Sequence, residues 1–348
     1  MNGREGYKMG LKKLVKRVLP QEMLDCYRKL RGKVRGKVNR ILFKIISIFD
    51  KRKLCVIWVD GGLGSQITKL ALGLNMEMNG YLVKYDFSVF KQGQKDLLGI
   101  NNRNYDLDKV YAGKILEASS LECKYTKEIN HFHCQNLYDF NEDLFHLKAP
   151  VYISGYFDNI KYWNNVKEIL KERCFFSRNC SDAFISLQNE ILNNSNAVVL
   201  HARRGDYVNT IFDVTTQEYF IKAIHKFKEK LKNPTFYIFS NDNKWVKENL
   251  IKGLPDFNLK VVELSTNDTG YDDIALMNCA RNFILSNSSF SIIGAFFSRY
   301  DEINIIMPNR WFAEIPKFCF DGNYNQDEFD LLSQKVHDIN GKTIFLDC

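Results

Sequence analysis

Leu54-Cys55-Val56-Ile57-Trp58-Val59, followed by Asp60-Gly61-Gly62-Leu63-Gly64-Ser65-Gln66, is the stretch that decides the fold. An apolar run rich in β-branched and aromatic residues fits a buried strand, and the glycine-rich turn ends it. Ile67, Leu70, Ala71, Leu74 and Met78 then recur at helical spacing, Gly80 closes the helix, and Tyr81-Leu82-Val83-Lys84-Tyr85 reads as a second strand. Strand, turn, helix, strand is the opening of a doubly wound α/β domain. The same grammar returns after residue 196. Strand Ala197–Leu200 leads to a helix carrying Phe220, Ala223, Ile224, Phe227 and Leu231, then to strand Thr235–Phe239. A helix with Trp245 and Val246, strand Leu259–Leu264, a helix from Asp272, strand Asn282–Leu285, a short helix through Ala295 and strand Ile303–Ile306 follow. This alternation predicts a parallel sheet wrapped by helices, and two such halves imply a cleft between them. From about Lys91 to Pro150 the chain is polar, aromatic and poorly periodic, which predicts only mixed helices and loops.

Charge divides the 348 residues unevenly. Met1 to Lys53 holds 17 Lys/Arg against 4 Asp/Glu, whereas the remainder holds 32 against 37, within an overall net charge of +8. The body is therefore mildly acidic, and charge gives it no claim to binding nucleic acid. In the basic segment Leu11, Leu14, Val15, Val18 and Leu19 fall at helical spacing among Lys12, Lys13, Lys16 and Arg17. Its apolar runs are too short for a spanning helix, so it reads as an amphipathic arm for an anionic membrane surface, or as a solvated basic arm. No secretory signal is visible. Nine cysteines without a Cys-x-x-Cys pair fit thiols in a reducing compartment and offer no zinc-ligand spacing.

The chemistry gathers where strands end. His201-Ala202-Arg203-Arg204-Gly205-Asp206-Tyr207 follows the Ala197–Leu200 strand. Guanidinium forks donate paired hydrogen bonds and stay charged, which suits a diphosphate. Ser240-Asn241-Asp242, Tyr271-Asp272-Asp273 and Ser286-Asn287-Ser288-Ser289 stand at comparable positions, where hydroxyls and helix N-termini form anion sites or simple caps. The Gly61–Gly64 turn lacks the third glycine of a dinucleotide fingerprint, although Asp86 stands where a ribose-binding acid would, so a nicotinamide enzyme is one alternative. Asp106-Leu107-Asp108 has the Asp-x-Asp spacing of metal-dependent transferases, but no apolar strand leads into it, and it reads as a surface acidic turn.

Together these residues resemble the bacterial and eukaryotic α-1,2-fucosyltransferases (the glycosyltransferase family 11 type), relatives of the α-1,6- and protein O-fucosyltransferases. The signature His-x-Arg-Arg-Gly-Asp-Tyr is met at His201–Tyr207, and the Gly-Gly-Leu-Gly-Asn-Gln loop at Gly61–Gln66. Ser240–Asp242 with Trp245, then Asp273, Leu276, Met277 and Asn287–Ser291, match further motifs in the family's order. Gly155-Tyr156-Phe157 with Tyr162-Trp163 also resembles a family segment. Three departures stand out: Ser65 for the usual Asn, Ile292-Ile293 for a common Trp-Trp, and Asp158 where Gln is frequent.

The resemblance implies a GT-B-like fold of two Rossmann-like doubly wound domains facing a cleft, with a basic helical N-terminal arm. The expected boundaries are residues 1–53 for the arm, 54–175 for the acceptor side and 176–348 for the donor side. It implies inverting transfer of L-fucose from GDP-β-L-fucose to the 2-hydroxyl of a galactose-terminated glycan, without cofactor or metal. The implied setting is cytoplasmic, peripheral to the inner membrane, in surface-polysaccharide synthesis. Arg203 and Asp206 are the candidate catalytic residues, with Arg203 on the diphosphate. His201, Arg204, Gly62, Gly64, Ser65, Gln66, Asn241, Asp242, Asp273, Ser288 and Ser289 are the candidate substrate-binding residues, Asp273 for guanine and the two serines for phosphate oxygens. Another nucleotide sugar on the same fold is the alternative. The spacing does not single out the general base, for which Asp206 and Asp213 are both near the motif.

Overall fold

The computed structural model describes residues 36–38, 41, 53–91, 104–134, 136–177, 181–263, 270–316 and 324–348. The expected basic arm therefore lies almost wholly outside the described residues. Among the described residues no helix is long and apolar enough to cross a membrane. Contacts divide the chain into Met1–Lys53 and Leu54–Cys348, and the second unit carries both sheets.

A four-stranded sheet holds β1 (Lys53–Trp58), β2 (Tyr81–Asp86), β3 (His131–Cys134) and β4 (Val151–Gly155) in the order β2-β1-β4-β3. β4 runs parallel to both β1 and β3. Between β1 and β2 runs α1 (Leu63–Met78), and α2 (Ser120–Ile129) precedes β3. Nearly every residue of α1 from Leu63 to Met76 is buried, including Gln66, Thr68, Lys69 and Asn75. A helix enclosed on all sides must satisfy each polar side chain internally. Asn75 donates to the Tyr162 carbonyl, and Thr68 to that of Ser65.

The second sheet is six-stranded. Its members are β5 (Ala197–Ala202), β6 (Thr235–Ser240), β7 (Asn258–Val261), β8 (Asn282–Ile284), β9 (Asn304–Pro308) and β10 (Ile344–Leu346). The order is β10-β9-β8-β5-β6-β7, and every neighbouring pair is parallel. β5 sits at the centre and is buried along its full length, as its apolar run Ala197–Leu200 requires, with His201 buried at its end. Helices α3 (Asp182–Asn193), α4 (Gln217–Lys230), α5 (Asn243–Val246), α6 (Tyr271–Met277), α7 (Ser289–Phe296) and α8 (Gln326–His337) wrap it. The fold is thus α/β with two Rossmann-like parallel sheets.

One apolar core joins residues of both sheets, from Cys55, Ile57 and Leu70 through Val199, Phe283 and Ile293 to Phe329. Full burial of side chains of this size contributes about 1.5–3 kcal/mol each. Among the described residues between Lys91 and Pro150, the expected mixture of helices and loops includes the capped helix α2 but also a strand, β3, that was not expected. α2 begins in a capping box, in which Ser119 accepts from Glu122 N–H and Glu122 from that of Ser119. α3, α8 and β10 also lie outside the elements expected from periodicity.

Candidate active site

Two helix N-termini meet at the centre of the site. The Gly61 backbone has φ +76°, which turns the chain out of β1, and Gly62 caps α1 without a side chain. Gly64, in the first turn of α1, touches the first turn of α7: a Cβ there would stand 2.7 Å from the Ser289 carbonyl carbon and 2.8 Å from Phe290 N. Ser288 caps α7, but its hydroxyl makes no cap bond. The amide-rich, partly positive ends of α1 and α7 are therefore brought together with no side-chain carboxylate in either first turn.

The arginine loop beside them is held by its neighbours. Asn241 Oδ1 accepts from Arg204 N–H (2.8 Å) and Gly205 N–H (3.1 Å), and its Nδ2 donates to Asp206 Oδ1 (3.1 Å). Ser240 donates to the Ala202 carbonyl and accepts from Asp242 N–H, while Asp242 caps α5 by accepting from Trp245 N–H. From the other side, Ser286 Oγ accepts from Arg203 N–H (2.9 Å) and donates to the His201 carbonyl (2.7 Å).

The two guanidiniums are spent differently. Arg204 donates to the Thr215 carbonyl (2.8 Å) and Asp213 (3.2 Å), and lies 4.6 Å over the Trp245 ring. Arg203 pairs with Asp206 at 2.7 Å and lies over Tyr207. Arg203 Nε is buried and has no acceptor among the described residues. Arg203 thus retains a buried donor, as does Arg204 at its own Nε.

His201 is buried, with its ring against Phe290 and its Nδ1 2.6 Å from Ser291 Oγ. Burial, with the Arg203 charge adding to it, pushes this imidazole down to about 3, so it is neutral at pH 7. Its observed contacts join β5 to α7. Gln66 is also fully engaged: its amide donates to the carbonyls of Gly61 and Asn104 and accepts from Asp106 N–H. Asp273 lies in the first turn of α6, beside Asp272, which accepts from Ser177.

Beneath the glycine turn lies a charged cluster that spacing does not reveal. Lys69 and Asp60 form an ion pair with both side chains fully buried, and Lys69 Nζ also donates to Ser65 Oγ (3.1 Å). Tyr156 presents its ring 4.9 Å from the same ammonium. Partly buried Asp158 faces this pair, and its carboxyl is pushed up to about 6 by burial, with Lys69 opposing and Asp60 reinforcing. The signal in the sequence was the coincidence of Ser65 and Asp158 as departures from the family pattern, which turn out to share one neighbour, Lys69.

The two alternative motifs have local occupations. Asp86 accepts from Ser88 N–H and from the Tyr152 hydroxyl. Asp106 accepts from the Tyr271 hydroxyl and pairs with Lys109, in the acidic turn that the sequence suggests.

Residues 121–326 match the family model described as glycosyl transferase family 11. An alpha-1,2-colitosyltransferase of Escherichia coli is 29% identical over 279 residues, covering 73% of this chain and 95% of that protein. Galactoside alpha-(1,2)-fucosyltransferase 2 of Mus musculus is 28% identical over 181 residues, 48% of this chain and 51% of that protein. Among solved structures, fucosyltransferase NodZ from Bradyrhizobium is similar at 12% identity and TM-score 0.39, over 70% of this chain and 92% of that one. A protein with two parallel α/β sheets and this family match is a glycosyltransferase. The chain belongs to glycosyl transferase family 11.

Proposed function

We propose that this enzyme moves a 6-deoxy sugar, L-fucose, from GDP-β-L-fucose to the 2-hydroxyl of a galactose-type residue in a surface glycan, with inversion. The observation that carries the reading is the meeting of the α1 and α7 N-termini beside Arg203, whose buried Nε has no acceptor among the described residues. Two positive helix ends and a guanidinium form a cradle for a diphosphate. As the glycosidic bond breaks, negative charge grows on departing GDP, and donors already fixed in place stabilise it without reorganising.

In this reading Arg203 binds the diphosphate, with Asp206 positioning its guanidinium. Ser288, Ser289 and the amides after Gly62 and Gly64 bind phosphate oxygens, and Asp273 recognises guanine. Asn241, Asp242 and Arg204 support the loop. Neutral His201 and the engaged Gln66 hold the walls of the donor site. The reaction needs no metal, because these groups neutralise the leaving diphosphate. Residues 54–175 serve the acceptor and 176–348 the donor. The basic segment 1–53 rests on an anionic membrane surface at the cytoplasmic face, supported by its charge.

A second donor is favoured by one observation. The relative matched over 95% of its length is named for colitose, so a GDP-linked 3,6-dideoxy sugar is the competing substrate. A screen of GDP-fucose, GDP-colitose and UDP-galactose with a β-galactoside acceptor decides between them. Transfer from GDP-fucose supports the proposal, transfer from GDP-colitose alone replaces the donor, and transfer from UDP-galactose alone removes the guanine assignment.

A further inference from the structure

Outside the arginine loop, a cavity of the four-stranded half holds about 730 Å³, well within the range of roughly 300–1,000 Å³ typical of small-molecule sites. It opens on one face of that sheet. The register pairs His131 with Tyr152 and His133 with Ser154, and side chains of alternate residues share a face, so β3 and β4 present these four together. Trp58 at the end of β1 and Lys124 and Lys127 on α2 complete the principal lining.

The lining carries three lysines against two carboxylates, and its polar groups are only partly self-satisfied. Ser154 Oγ stands 2.8 Å from His131 Nε2 and 2.9 Å from His133 Nδ1. A hydroxyl has one proton, so at least one imidazole donates to it, and the far nitrogen of each ring is left for another partner. The two carboxylates of the lining are already engaged: Asp86 by Ser88 and Tyr152, Glu117 by Lys91. Lys127 rests 5.3 Å over the Tyr152 ring. The positive field is felt by His131, whose imidazole is pushed down by burial and then by Lys127 and His133. Trp58 is partly exposed and offers a flat apolar face beside these donors, the combination on which a sugar ring packs.

One lining residue of the cavity neighbours the lysine that bonds the glycine turn. Lys69 Nζ, 3.1 Å from Ser65 of the glycine turn, is 6.0 Å from the centre of the Trp58 ring. Trp58 is thus linked through Lys69 to the turn that meets α7.

We propose that this cavity is a subsite for the acceptor glycan that holds an acidic saccharide, the carboxylate of one sugar bound by Lys124, Lys127 and His131 and a neighbouring sugar ring packed on Trp58. The assignment rests on the glycosyltransferase reading above, because it needs a glycan acceptor. The test uses the full chain and two disaccharides, lactose and galactosyl-β-1,4-glucuronic acid, which differ at one carbon by hydroxymethyl against carboxylate. Ligand-observed NMR titrations at low salt should show the acidic disaccharide bound about tenfold more tightly, the worth of one charge-assisted hydrogen bond. The preference should fall towards parity in Lys124→Ala/Lys127→Ala, and Trp58→Phe should weaken both disaccharides.

Equal affinity for the two probes, binding of neither, or a preference that survives the double lysine variant overturns the proposal. GDP titrated into the same samples reports folding and the donor side separately. If GDP binds and the acidic preference is absent, the subsite fails and the transferase reading stands. If the preference is present and GDP does not bind, the donor assignment fails while the cavity remains an acidic-saccharide site.

Discussion

The two sheets of this enzyme treat polar groups in opposite ways. At the end of the six-stranded sheet, Asn241, Ser240, Ser286 and Asp206 bind the arginine loop from both sides, so most of its polarity is spent on its own shape. The four-stranded half instead keeps a roomy cavity lined by lysines and histidines, and buries an ion pair under its glycine turn. Under the proposed function the difference would fit two tasks: a diphosphate of fixed geometry calls for preorganised donors, and a glycan acceptor for a shape that can be changed without disturbing them.

The largest effect expected from breaking this contrast is in the four-stranded half. Lys69→Met leaves Asp60 as a buried, unpaired carboxylate facing Asp158, and the stability lost should be about 3–5 kcal/mol. Asp60→Asn/Lys69→Met removes both charges and should recover most of that loss. Urea denaturation of the three proteins measures it, and a double variant no better than the single one would show that the charges themselves are not the issue.

On the other side, Arg203→Ala should lower kcat about 100- to 1,000-fold, the cost of removing one preorganised donor to a developing anion. The melting temperature should change little, because the loop is held through backbone groups that remain. Arg204→Ala should show the reverse balance: it removes the bonds to Thr215 and Asp213, so it costs stability first. Equal kinetic losses in the two variants would erase the distinction drawn between the arginines.

Where the halves touch, Gly64→Ala probes the contact itself. Its Cβ would sit 2.7–2.8 Å from backbone atoms of α7, so the two helix ends must part. Overpacking of this kind costs about 1–3 kcal/mol, and GDP affinity measured by calorimetry should fall with it. Unchanged GDP affinity would mean that the meeting of these N-termini is packing alone.

How much of this was legible in the sequence follows from burial and distance along the chain. β1, β5 and β6 announced themselves because a strand covered on both faces is an unbroken apolar run. β3 did not: His131-Phe132-His133-Cys134 is an edge strand with alternate residues exposed, and its polar half hides the pattern. His201 stood out as a polar residue at a strand end, but periodicity cannot tell a ligand-facing imidazole from one packed against Phe290. The Asp60 and Lys69 pair is joined by Asp158 from much further along the chain, and nothing local marks that residue as their neighbour.

That cluster yields the smallest and most specific prediction. The Asp158 carboxyl lies at about 6 when folded against 3.8 ordinarily, chiefly through burial. Between those values the folded protein binds more protons than the unfolded chain, so stability falls as pH rises from about 4 to 6 and levels off above. With partial exposure screening the effect, the decline amounts to about 1–2 kcal/mol. Asp158→Asn keeps the shape and removes the proton, so its stability should be flat across that window and should exceed the parent's at pH 7. Chemical denaturation at pH 4, 5, 6 and 7 reads this directly. A variant with the parent's slope would place the titration elsewhere and leave Lys69 with Asp60 as its only anionic partner.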